Sequence, residues 1–76
     1  MKYPKITSLT VNEDRIDLFE GRTPSHQKCV VVYFAGPEGW GITMDIHPEK
    51  LDDFIANEDF QKEFVAVAKD KLGIAA

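Results

Sequence analysis

The sequence predicts an α+β protein: a four-stranded antiparallel meander followed by two C-terminal helices packed on one face of the sheet. Three observations lead there. Four runs before residue 47 have strand-like character, whereas apolar residues after Pro48 recur at helical spacing. Short turn-forming segments separate the four runs, which favours neighbouring antiparallel strands over crossovers. The chain has 76 residues and 43% apolar content, enough for one modest core, so residues 1–76 are expected to form a single α+β domain.

Thr7, Leu9 and Val11 alternate with polar neighbours and predict a first strand over about residues 5–11. Asn12-Glu13-Asp14 has turn chemistry, and Arg15 to Glu20 resumes the alternation with Ile16 and Leu18 on one side. Gly21 to Gln27 has the composition of an exposed loop. Lys28 to Phe34 is dense in β-branched and aromatic residues, which predicts a central strand covered on both faces. Ala35 to Gly39 reads as a hairpin loop. Trp40, Ile42, Met44 and Ile46 then form a stripe of period two, with Gly41, Thr43 and Asp45 opposite.

Pro48 suits the first position of a helix, with His47 as its cap. Leu51, Phe54 and Ile55 fall on one side of that helix, and Glu49, Asp52 and Asp53 on the other. The apolar spacing slips between Ile55 and Phe60, so a second helix is expected, capped by Asn57 and burying Phe60, Phe64, Val65, Val67, Ala68 and Leu72. Gly73 suits the position that ends it.

Candidate chemistry is sparse. Gly36, Gly39 and Gly41 join strand to strand, whereas a phosphate-cradling loop must open a helix, so they read as turn residues. Asp45, His47 and Glu49 are acceptable metal ligands, but Pro48 turns Glu49 away from the other two, and a site needs convergent donors. Cys29 sits among valines, without the neighbouring base that a reactive thiol requires. The expectation is therefore a non-catalytic protein with no cofactor and no metal.

Charge carries the functional hint. Between residues 38 and 63 stand eight carboxylates and two lysines, a net −6, while the rest of the chain is net +2 and the whole −4. Acids near helix starts usually form a solvated face. Here Glu49, Asp52, Asp53, Glu58, Asp59 and Glu63 gather into a negative field that would attract a basic protein surface. Trp40, bracketed by Gly39 and Gly41, is a candidate interface anchor beside them. In size and charge the chain resembles small phage-encoded inhibitors that occupy a nucleic-acid-binding groove in place of the nucleic acid.

The alternative is a homodimeric sheet platform for single-stranded nucleic acid, with Phe19, Tyr33, Phe34 and Trp40 as stacking rings. Its element order is similar to that of coactivator-type single-stranded DNA binding proteins. A pI near 5.0 disfavours direct nucleic-acid binding, as does a sheet face with only Lys5, Arg15, Arg22 and Lys28 available as cations, interrupted by Asp17 and Glu20. At least three of those four rings are expected in the core. The lone cysteine and the lack of an apolar stretch at Met1–Lys5 point to a reducing, cytoplasmic setting. The longest apolar run is too short to cross a membrane as a helix.

Overall fold

The computed structural model describes residues 3–36 and 41–74. It is an α+β fold. Strands β1 (Lys5–Val11), β2 (Asp14–Arg22), β3 (Lys28–Ala35) and β4 (Gly41–Ile46) form one antiparallel sheet in sequence order. A 3₁₀ turn at Pro48–Lys50 leads into helices α1 (Leu51–Ala56) and α2 (Glu58–Leu72). No helix among the described residues is long and apolar enough to cross a membrane.

Register builds the core. Leu9 pairs with Ile16, Ile16 with Phe34, and Phe34 with Ile42, one apolar row across all four strands. A second row runs through Leu18, Val32 and Met44. Because side chains alternate, these rows share one face. Phe54, Phe64, Val65 and Ala68 of the helices close over it. Ile16, Leu18 and Val32 are fully buried at the centre.

The other face carries no helix, which corrects the expectation that β3 is covered on both sides. Val31 and Tyr33 are half-buried there for a local reason. A Cβ at Gly21 would stand 2.7 Å from a Val31 methyl, and one at Gly41 would collide with the Tyr33 ring. Each side chain thus lies over a glycine on the adjoining strand, and glycine is what permits that approach. Phe34 lies in the core, but Phe19 and Tyr33 sit half-buried on this helix-free face, so core placement holds for fewer rings than expected.

Strand limits differ from expectation at β2, which continues through Gly21 and Arg22 because both pair with β3. The loop shrinks to a turn closed by the Thr23 N–H on the Gln27 carbonyl at 2.9 Å, with His26 at φ +66°. Lys69 meets Asp14 at 2.8 Å, tying the end of α2 to the β1–β2 turn.

Candidate functional site

The helix caps place the acidic surface. His47 stands in extended backbone before Pro48, and its Nδ1 accepts the Glu49 N–H at 3.3 Å. The same Nδ1 lies 3.9 Å from the Glu49 carboxylate. Asn57 Oδ1 accepts the Phe60 N–H at 3.1 Å and starts α2. Glu58 and Asp59 therefore occupy its first turn, where the helix dipole favours them.

Asp52, Asp53, Glu58, Asp59 and Glu63 are all exposed. Asp53, Glu58 and Asp59 line one open depression with Ala56 and Asn57, so the α1–α2 junction brings carboxylates from two helices together. Asp52 and Glu63 lie outside that depression. Glu49 belongs to the 3₁₀ turn, not to a face of α1, because Pro48–Lys50 winds more tightly than the helix that follows. Trp40 and Glu38 fall outside the described residues.

No lysine or arginine among the described residues forms an ion pair with these acids, although Lys50 lines a groove together with Asp53. Among the described residues, the ion pairs between lysine or arginine and a carboxylate are Lys5 and Arg15 with Asp17, and Lys69 with Asp14. Lys50 and Lys62 stand in the same segment without forming one.

An apolar groove adjoins the acidic depression and shares Asp53 and Asn57 with it. Its volume is about 430 Å³, and Ile46, Phe54 and Phe60 supply its apolar wall. The Phe60 ring meets Phe54 edge-on, centroids 5.5 Å apart, yet remains 44% exposed. Periodicity had assigned Phe60 and Val67 to the buried face; both are exposed, Val67 at 48%. Phe60 packs edge-on against Phe54 of α1 and stands apart from the buried set of Phe64, Val65 and Ala68 on the same helix. The sequence signal for this was the break in spacing between Ile55 and Phe60.

Gln61 was missed. It is only 4% exposed, and its amide nitrogen donates to the Phe54 and Ile55 carbonyls at 2.8 and 3.0 Å. Those carbonyls end α1; the Phe54 carbonyl also accepts the Asn57 N–H at 3.3 Å, and Gln61 adds a side-chain donor from α2 to both, joining the two acidic helices.

The helix-free sheet face offers little cationic surface. Ser8, Arg15 and Lys5 converge on Asp17 Oδ1 at 2.6, 2.9 and 3.5 Å. Burial pushes the Asp17 carboxyl up, but the Ser8 and Arg15 hydrogen bonds and the charges of Arg15 and Lys5 outweigh it, holding it below its ordinary value. Cys29 is buried near the same face; burial, then the charge of Asp45, raises its thiol above the usual range. No family model, curated protein or solved structure matches this chain.

Proposed function

We propose that this chain is a non-catalytic protein-binding module whose acidic helical surface engages a basic patch on a partner protein. The observation that carries the reading is the junction itself. Exposed carboxylates that form no ion pair with lysine or arginine among the described residues border a groove walled by Ile46, Phe54 and a half-exposed Phe60, with Lys50 on its rim. Interfaces pair a desolvated apolar anchor with a charged rim, the anchor supplying affinity and the rim steering and register. Phe60 takes the anchor role within the described residues.

In its most specific form the partner's basic patch is a nucleic-acid-binding groove, which the chain occupies as an inhibitor does. Exposed acids imitate phosphates in attracting lysine and arginine. A reducing, cytoplasmic setting accords with a single buried thiol. The sheet-platform alternative has weaker support, because Lys5 and Arg15 are already engaged by Asp17.

Affinity purification with the full chain, followed by mass spectrometry, is expected to recover a basic protein whose capture falls with salt. Asp52→Lys combined with Asp53→Lys should abolish that capture while circular dichroism stays unchanged. Capture that survives the double reversal in a folded variant would overturn the reading.

A further inference from the structure

The two edges of the sheet are built differently. Along β1 the register slips between Lys5 and Thr7, a bulge, and Lys5 places a cation on the edge. Both devices discourage another strand from adding there. Strand β4 has no bulge and no cation, its one charge being the exposed Asp45. Its pairing with β3 is unbroken from Ile46 to Gly41, and Gly-Ile-Thr-Met-Asp-Ile contains no proline and no lysine. Its outer backbone edge is unpaired within the sheet.

The apolar layer is also unfinished at this edge. Val30, Val32 and Phe34 on β3 are buried, while their partners Ile46, Met44 and Ile42 on β4 are only half-buried. Phe60, exposed, shares a groove with Ile46 on the same helix-bearing side. A further strand beside β4 would continue both the hydrogen-bond ladder and the apolar layer.

We infer that a second copy of this chain supplies that strand, β4 pairing antiparallel with β4 about a two-fold axis. The sequence of β4 is self-complementary in one register. With Met44 opposite Met44, Ile42 stands opposite Ile46 and Thr43 opposite Asp45, so the apolar stripes of both copies meet on the helix-bearing face. Shifting by one residue in pairing sum would place the partner's helices on the opposite side and leave the stripe uncovered. Centring the axis on Asp45 would set like charges directly opposite, which is destabilising. Centring it on Thr43 would set Ile46 opposite residue 40, beyond the end of β4, whereas centring on Met44 leaves only Gly41, which has no side chain, without a partner inside the strand. The acidic-surface reading is not required for any of this, since the inference concerns the purified chain alone.

Sedimentation of the full chain from micromolar to millimolar concentration tests it, with a reversible species of twice 8.6 kDa expected. The register makes a prediction of sign. A lysine on an edge strand ordinarily hinders pairing. Thr43→Lys should instead tighten the dimer roughly two- to thirtyfold, because each lysine faces Asp45 of the other copy. Thr43→Asp should weaken it by a comparable factor, and adding Asp45→Lys to that variant should restore it. Thr10→Lys makes the same change in net charge on β1 and should leave the constant unchanged. Thr43 and Thr10 are exposed, so these variants leave the core packing intact, and circular dichroism checks the fold of Thr10→Lys, whose lysine faces Arg15. A monomer at every concentration overturns the inference. So does a dimer that responds alike to Thr43→Lys and Thr43→Asp, or equally to Thr43→Lys and Thr10→Lys.

Discussion

Gln61 reaches back from α2 to the Phe54 carbonyl at the end of α1, 2.8 Å away, and so couples the two helices that carry the acids. A buried amide with both contacts made is a specific fastening, and its loss takes a donor from two carbonyls, of which that of Phe54 keeps the Asn57 N–H. Gln61→Ala should cost about 1–3 kcal/mol in urea unfolding. In a domain this small that is a Tm drop of at least about 4 °C. Gln61→Glu should be as damaging at neutral pH, since a carboxylate has no proton to give either carbonyl. If both variants unfold like the parent, Gln61 does not hold the helix junction.

The local punctuation of this fold was legible and the tertiary detail was not. His47 before Pro48, Asn57 before Glu58 and Gly73 at φ +74° each act within a few residues, so sequence reveals them. At Gly73 the Ile74 N–H reaches the Lys69 carbonyl at 2.8 Å, closing the last turn. Gln61, by contrast, reads from sequence as an ordinary polar helix residue; only the angle between two helices buries it. Val31 and Tyr33 misled for a similar reason. Their apolar character suggested a second covering layer, whereas each covers a glycine on a neighbouring strand. Of the acidic site, the residue types were readable, but which carboxylates converge depends on the α1–α2 turn.

Tyr33 and Gly41 make that cross-strand dependence measurable. Gly41 has no requirement for a left-handed backbone, so the obstacle to a larger residue is the Tyr33 ring alone. Gly41→Val should destabilise by about 1–3 kcal/mol, as overpacking does. In a Tyr33→Ala background the same substitution should become nearly neutral or favourable, because valine suits a strand. A double-mutant cycle measures the coupling, and additive effects would refute the packing account.

Asp17 sets an acid limit. Its carboxyl is held below its ordinary value in the folded protein, so the folded state binds that proton less readily than the unfolded one. The stability it contributes is therefore present above the ordinary carboxylate value and lost as pH falls through the lowered one. Asp17→Asn should lower Tm at neutral pH and flatten this acid limb. Ser8→Ala should do the same more weakly, since it removes one hydrogen bond of the set. A Tm profile for Asp17→Asn that runs parallel to the parent below pH ~4 would exclude Asp17 as the group responsible.

Phe54 and Phe60 touch each other but should separate stability from binding. Phe54 is 4% exposed and belongs to the core, so Phe54→Ala should cost about 3–5 kcal/mol and abolish folding near the limit of a small domain. Phe60 contributes an edge contact worth about 0.5–1.5 kcal/mol beyond the area it buries, and it remains 44% exposed, so it adds much less than Phe54. Phe60→Ala should therefore remain folded by circular dichroism and unfold at slightly lower urea. If the groove is the anchor, that folded variant loses capture of the basic partner as completely as the Asp52→Lys, Asp53→Lys pair does. The two losses should differ in salt dependence. Raising the salt should weaken the parent by screening the acidic rim, and should do little to whatever residual binding the charge-reversed pair retains. Full partner capture by Phe60→Ala would move the anchor away from this groove.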